Sequence, residues 1–411
     1  MTAKGRETKP HVGIFGRRNV GKSSLINALV GQDIAIVSEI AGTTTDPVKK
    51  SIEVHGIGPI IFIDTAGIDD SGELGKLRIG KSMAALKLID LAILVLSGNK
   101  FDNYEKELTE EFGRMDIPYI IVHNKNDIEP VTESFRHDIK IKTGHVITAY
   151  SAFYPDKYNA DLLTILKETI PVSALKTTGL LGDLLNQGDI VLLITPIDIE
   201  APEGRLILPQ VQVIRDILDN DCTAIILKER EVDAFLRHTG IRPRLAITDS
   251  QVFLKADASI PRDIPLTSFS IVLARQKGDF EEYIKGTPKI GELKDGDRVL
   301  LLESCTHNVS CDDIGRTKIP RWISNFTGKK LHFDTVAGLD SFPRPIDDYA
   351  LVIQCGGCMV THRQLVNRLR EPKNNNIAVT NYGMAIAYVH GIFNRAIEPF
   401  TGKTNKAGDL L

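Results

Sequence analysis

Two groups of residues in this chain have the types and spacing that chemistry requires. The first is "GRRNVGKS", Gly16 to Ser23, which follows the pattern G-x-x-x-x-G-K-S/T of a phosphate-binding loop. Its glycines let backbone N–H groups close around phosphate oxygens, and a helix starting there adds the positive end of its dipole. In such a loop Lys22 reaches the β- and γ-phosphates and the Ser23 hydroxyl ligates magnesium, while Val20, Gly21 and Ser24 line the nucleotide. The second group is rich in thiols. It comprises "ESCTHNVSCDDIGR" from Glu303 and, further on, "VIQCGGCMVTH" from Val352. Four of the five cysteines, Cys305, Cys311, Cys355 and Cys358, fall in these two stretches.

The elements that must position these groups are read from the apolar runs. Strand-like runs alternate with helical patterns almost throughout, which predicts α/β domains with largely parallel sheets. The division is a phosphate-loop domain over residues 1–172 and two smaller α/β domains over 173–264 and 265–411. In the first, "HVGIFG", "PIIFIDT", "LAILVLS", "IPYIIVHN" and "HVITAYS" each end in a polar loop, and the phosphate loop sits between a strand and the helical "SLINALVG". "DTAG", Asp64 to Gly67, follows a buried strand, so Asp64 can hold magnesium through water and the Gly67 amide can meet the γ-phosphate. The middle segment reads as a βαβαβ unit without catalytic punctuation, a packing or dimerisation module. In the last, Cys305 lies just beyond the strand "RVLLLE" and Cys355 directly follows "YALVIQ". If those strands are parallel neighbours, the thiols meet at the carboxyl edge of the sheet, where α/β folds place ligands. The helix predicted for "THRQLVNRLR" then presents its N-terminus to an anionic group.

The composition, 42% hydrophobic and 25% charged, is that of a globular protein, and 411 residues are too many for one core. The first ten residues carry no apolar leader and no run of about 18 apolar residues follows, so a cytoplasmic protein without a membrane partner is expected. A net charge of −3 gives no electrostatic footprint for nucleic acid. Clustered cysteines in such a chain point to metal or redox chemistry before structural disulfides. Three readings of them stand side by side. A structural zinc site would take Cys305 or Cys311 with Cys355, Cys358 and His307. A thiol–disulfide pair would use Cys355 and Cys358 alone, and an iron–sulfur cluster would have three firm thiolates and one replaceable ligand. Spacing alone leaves zinc and iron–sulfur even. Cys222 reads as a small buried residue. Arg316, Lys318 and Arg321 read either as a solvated face or as a contact for an anionic group or acidic partner. Asp312 is either a ligand or the cap of the turn "DIGR".

The first domain resembles the GTPases that include Era, Der and the tRNA-modifying MnmE proteins. "NKND", Asn124 to Asp127, is similar to their N-K-x-D, in which Asn124 and Lys125 frame the base and the Asp127 carboxylate accepts two guanine N–H groups. "SAF" resembles their last motif, with Ser151 and Ala152 behind the base. "AGTTTDP" resembles their first switch, which implies Thr44 as a magnesium ligand, although Thr45 stands where relatives often carry arginine. Ile68 occupies the position of a water-orienting glutamine, which implies slow intrinsic hydrolysis. Asn19 is similar to the asparagine with which potassium-activated relatives hold a monovalent cation. The alternative reading, a tRNA-modification or ribosome-assembly GTPase with a zinc site, rests on this domain.

The whole chain resembles the FeFe-hydrogenase maturation GTPases, the HydF family. The resemblance is carried by "SCTHNVSCDDIGRTKIPRWI", "IQCGGCMVTHRQL" and "VTNYGMAIAYVHGIF". It implies a GTPase domain, a dimerisation domain and a cluster-binding domain, in that order. It further implies a 4Fe-4S cluster on Cys305, Cys355 and Cys358, a diiron precursor as cargo, and a homodimer. The partners implied are two radical-SAM maturases and apo FeFe-hydrogenase. Gln354 replaces the histidine that the family usually has before C-x-x-C, so an exchangeable fourth position falls to Asp312, with His307 and Cys311 as its rivals.

Overall fold

The computed structural model describes residues 9–30, 37–40, 48–54, 58–64, 85–171, 174, 179–196, 206–304, 313–357 and 360–402. They divide into two compact units, residues 6–176 and 177 onward.

The first unit is built on a seven-stranded sheet. Its strands are β1 (His11–Phe15), β2 (Val37–Ile40), β3 (Val48–Val54), β4 (Gly58–Asp64), β5 (Leu91–Leu96), β6 (Tyr119–His123) and β7 (Ile147–Ala149). Their spatial order is β2-β3-β4-β1-β5-β6-β7, parallel except where β3 pairs antiparallel with β2 and β4. Each central strand feeds both faces: Val12 and Ile14 of β1 pack with Leu25 and Val122, whereas Phe15 packs with Leu94 and Phe112. Burial on both faces is why β5, "LAILVL", reads as an unbroken apolar run. β3 is absent from the predicted strands. Its sequence "VKKSIEV" interleaves charges with the apolar residues, and only the paired sheet buries Ile52 and Val54.

The second unit holds two four-stranded sheets. β8 (Ile190–Ile194), β9 (Thr223–Leu227), β10 (Leu245–Thr248) and β11 (Leu266–Ser268) are ordered β11-β10-β8-β9. β12 (Arg298–Leu302), β13 (His332–Val336), β14 (Leu351–Gln354) and β15 (Ala378–Asn381) are ordered β13-β12-β14-β15. Every pairing in both sheets is parallel. The βαβαβ order predicted for the middle segment is present, with helices Leu208–Asp219 and Val232–Thr239 between its strands. Cys222 is buried just before β9, its thiol donating to the carbonyls of Asn186 at 3.1 Å and Asn220 at 3.2 Å.

One helix, Phe269–Lys277, belongs to both sheets. Phe269, Val272 and Leu273 lie in the core of the middle sheet. Ile271 and Ala274 lie in a core that also takes Leu300, Leu302 and Val352 of the last sheet. Each large apolar side chain so buried stabilises by about 1.5–3 kcal/mol. The helix starts where the Ser268 side chain accepts from the Ile271 amide and is followed by Gly278. Among the described residues no helix is long and apolar enough to cross a membrane.

Candidate functional site

The nucleotide motifs converge at the carboxyl ends of β1, β4, β6 and β7. Gly16 has φ +141° and Gly21 φ +91°; a Cβ at Gly16 would lie 2.3 Å from the Val95 carbonyl oxygen, and one at Gly21 2.3 Å from Asn124 Nδ2. The pattern's two glycines are therefore demanded by backbone conformation and by close approach. Asn19 also has positive φ, 65°, a conformation that asparagine tolerates better than most residues. Lys22 is buried, and its Nζ donates to the Gly16 carbonyl at 2.7 Å and the Arg17 carbonyl at 2.9 Å, which braces the loop. Ser23 Oγ donates to Asp64 Oδ2 at 2.7 Å, so the two residues predicted to share magnesium already meet. Val20 is buried and Ser24 exposed.

The residues predicted to read the base are tied to this loop. Asn124 Nδ2 donates to the Val20 carbonyl at 2.9 Å, and its Oδ1 accepts from the Ala152 amide at 3.2 Å. Lys125 has φ 59°, and the Asn126 amide donates to the Tyr150 carbonyl at 3.0 Å, which turns the chain after β6. Asp127 is exposed, with Oδ1 accepting from Ser151 Oγ at 2.5 Å. His123, fully buried before this turn, accepts from the Asn99 amide through Nε2, and burial holds its pKa below the usual value, as an acceptor nitrogen requires. Thr44, Thr45, Gly67 and Ile68 lie outside the described residues.

Sequence reasoning missed one tie in this unit. Arg17, inside the loop, donates from Nε and Nη2 to the carboxylate of Glu105, which is 1% exposed and also accepts from the Asp102 amide at 2.9 Å. Its hydrogen bond to Glu105 is the leading reason that its pKa is raised. "NYEKEL" carries no local signal for this pair, because the partner is 88 residues away.

The strands before the two thiol arms, β12 and β14, are parallel neighbours, the condition on which the expected meeting of the thiols rests. β12 and β14 are in register from Val299 opposite Leu351 to Leu302 opposite Gln354, and the Cys355 amide donates to the Leu302 carbonyl at 2.9 Å. Cys355 Sγ accepts from the Ser304 amide at 3.1 Å and lies 3.1 Å from Ser304 Oγ. Gln354, fully buried, donates from Nε2 to Ser304 Oγ at 3.0 Å and to the Cys355 carbonyl at 3.2 Å. The residue beside the first arm's Cys305 is thus in contact with the second arm's Cys355. Cys305, His307, Cys311, Asp312 and Cys358 lie outside the described residues, among which no group of three metal-ligating side chains occurs.

Around Cys355 the interior is polar and densely connected. Glu303, 4% exposed, takes Arg316 Nη2 at 3.0 Å, and this hydrogen bond raises the Arg316 pKa. Lys318 Nζ donates to Gln251 Oε1 at 2.8 Å. Arg316 and Lys318 thus each have a partner in the protein, while Arg316 and Arg321 stay exposed, in keeping with the solvated-face reading. Asp313 caps the next turn by accepting from the Arg316 amide at 2.8 Å, and Asp312 lies outside the described residues. Burial pushes the phenols of Tyr283 and Tyr382 well above their usual pKa, with charge on Cys355 adding to the shift. Gln354 Oε1, Arg368 Nε and Tyr382 OH are buried without hydrogen-bond partners among the described residues. An N–H donor on sulfur, a polar edge of a parallel sheet and the N-terminus of helix His362–Asn374, capped by Thr361, make a donor set that fits a thiolate-held group. Gly315 closes this network, since a Cβ there would lie 2.5 Å from Tyr382 OH and 2.7 Å from Glu303 Oε1. Gly315→Ala is expected to destabilise by about 1–3 kcal/mol, read as a lower midpoint in urea unfolding; an unchanged midpoint would show that the contact relaxes freely.

Comparison with known proteins separates what the units share with others. Residues 11–125 match the family model of the 50S ribosome-binding GTPases. The chain is 36% identical over 168 residues to GTPase Der of Wolinella succinogenes, covering 39% of this chain and 34% of that protein. It is 44% identical over 126 residues to the tRNA modification GTPase MnmE of Bacillus pumilus, covering 28% and 25%. The chain thus spans about a third or less of the length of these curated relatives. Among solved structures, Era of Aquifex aeolicus bound to GDP and aluminium fluoride is 20% identical, with 56% of this chain and 98% of that chain covered and a TM-score of 0.32. Beyond the GTPase the matches change. Residues 180–278 match the hydrogen maturase F dimerization domain and residues 281–399 the hydrogen maturase F tetramerization domain. These two domains follow one another in the half of the chain that carries the thiols, and together they cover more than half of its length. The P-loop unit is common to many GTPases, but this pair is particular to one family: the chain belongs to the HydF hydrogenase maturases.

Proposed function

We propose that the protein is a GTP-hydrolysing scaffold that binds a 4Fe-4S cluster and assembles or delivers the diiron subcluster to apo FeFe-hydrogenase. The observation that supports this reading is the register of β12 and β14, which brings Ser304, the residue before Cys305 in sequence, into contact with Cys355. Cys305, Cys355 and Cys358 are the thiolates, and Asp312 takes the exchangeable fourth place, with His307 and Cys311 as alternatives. Two observations bear on that choice. The residue at the family's histidine position, Gln354, is turned onto Ser304, and the turn that follows Asp312 in sequence is capped by Asp313. The cluster supplies an iron site to which a ligand of the diiron substrate can bind; the chain supplies thiolates, N–H donors to sulfur and a dry setting.

In the first unit, Lys22 neutralises charge on the β- and γ-phosphates, and Ser23, Thr44 and Asp64 hold magnesium. The Gly67 amide meets the γ-phosphate, and Asp127 selects guanine with Ser151 fixing its carboxylate. Asn19 holds potassium, which compensates for the apolar Ile68. Comparing hydrolysis rates in potassium and sodium tests this: a several-fold gain in potassium is expected, and equal rates would remove the role of Asn19. A homodimer is supported by the dimerization-domain match and by β9, an edge strand of the middle sheet that exposes Ile226. The two radical-SAM maturases and apo FeFe-hydrogenase complete the set of partners, in the cytoplasm.

The deciding experiment is anaerobic reconstitution with iron and sulfide, followed by iron and zinc analysis and EPR of the reduced protein. About four irons per chain with a reduced-cluster signal are expected. Colourless protein with stoichiometric zinc and no iron would sink the cluster reading and favour a GTPase with a structural zinc site.

A further inference from the structure

Two cations are buried beside the cysteine site: Arg368 donates to one carbonyl of the first arm and to the carbonyl that ends β13, and Lys277 donates to two carbonyls of the second arm. Arg368 is 7% exposed; its Nη1 donates to the Glu303 carbonyl at 2.7 Å and its Nη2 to the Val336 carbonyl at 2.8 Å. Lys277 is 4% exposed; its Nζ donates to the Gly357 carbonyl at 3.1 Å and the Val360 carbonyl at 3.3 Å. Glu303 lies just before Cys305, and Gly357 and Val360 bracket Cys358. A cation taken out of water is strongly disfavoured unless the interior offers it opposite charge and hydrogen bonds. Carbonyl dipoles supply the bonds here, and for Arg368 no ion pair is found among the described residues. Burial lowers the Arg368 pKa, and charge on Cys355 is the foremost influence opposing that shift.

The two cations come from different parts of the unit. Arg368 sits on helix His362–Asn374 and bridges carbonyls at the ends of β12 and β13. Lys277 ends the helix Phe269–Lys277, whose position is dictated by the cores of both sheets. His362 joins them: its Nδ1 is 2.7 Å from the Lys277 carbonyl, which can only accept, so this ring nitrogen is the donor. The middle sheet therefore reaches the C-x-x-C turn through one buried ammonium.

We propose that Lys277 and Arg368 form a cationic cradle that pins the two cysteine arms by their carbonyls and raises the reduction potential of the cluster they hold. The inference rests on the cluster reading above. Both are positioning residues: they act on iron through the loop backbone and through space. A purely structural role would fix the loops but leave the potential alone when the hydrogen bonds are kept.

The test is a redox titration, with iron content and EPR, of the reconstituted full chain and of Lys277→Gln, Lys277→Arg and Arg368→Gln. Glutamine can still donate to carbonyls but carries no charge. Both glutamine variants are expected to bind iron and to shift the potential negative, by about 59 mV for each tenfold change in the ratio of reduced to oxidised cluster. Lys277→Arg is expected to stay near the parent. Parental potentials in the glutamine variants at full iron content would overturn the proposal, as would an equal shift in Lys277→Arg and Lys277→Gln. Should Arg368→Gln fail to fold, the lysine pair decides by the same criterion. A parent that takes up no iron overturns the cluster reading itself, and the cradle with it, which distinguishes the two failures.

Discussion

Lys22→Met is expected to lower kcat for GTP hydrolysis by about 10²- to 10³-fold, the usual loss when one preorganised group that stabilises transition-state charge is removed. Lys22 is buried at the start of the first helix, and its ammonium spans the loop to the Gly16 and Arg17 carbonyls. In the proposed nucleotide complex the same ammonium neutralises charge on the β- and γ-phosphates beside magnesium. Methionine keeps the length and packing of the stem, so the fold should persist. The loop loses a brace as well as a charge, so KM should also rise. Steady-state phosphate release measures both, and a kcat within roughly threefold of the parent would mean that this lysine does not act on the transferring phosphate.

Cys355→Ser is the second change with a large expected effect: reconstituted protein should lose nearly all cluster iron. A serine hydroxyl is a hard, weakly acidic donor and a poor substitute for a soft thiolate. The substitution is close to isosteric and the site is polar, with Ser304 and Gln354 around the sulfur, so stability should change by about 1 kcal/mol or less. GTP hydrolysis, located in the other compact unit, should survive and serve as the control for folding. Iron analysis and the visible absorbance of the anaerobic protein read the outcome. Full iron retention would exclude Cys355 as a ligand and with it the convergence of the two arms on one cluster.

The nucleotide site was legible in sequence because its chemistry is local. Gly16 and Gly21 of the P-loop combine positive φ with the close approach of another segment, which together demand glycine. Its lysine and serine follow at fixed spacing, and the strand before it is apolar because it is covered on both faces. The strands β3 and β13 escaped the same reasoning. "VKKSIEV" and "HFDTV" carry charged or polar residues at positions that only their paired neighbours make compatible with a strand. Two ion pairs on buried carboxylates and one buried lysine escaped it as well. Arg17 with Glu105, Arg316 with Glu303, and Lys277 beneath the C-x-x-C turn look in sequence like ordinary solvated residues.

The cysteine site divides along the same line. Residue types, the C-x-x-C spacing and the strands that precede each arm were enough to nominate Cys305, Cys355 and Cys358 and to predict a parallel pairing. The register that sets Leu302 opposite Gln354, the Ser304 amide on Cys355 sulfur, the cap at Asp313 and the two buried cations were decided by tertiary structure. A motif records what one stretch of backbone needs for its own conformation and ligand. Contacts between stretches tens of residues apart depend on which strands pair and which side chains the shared core encloses, and no single stretch carries that information.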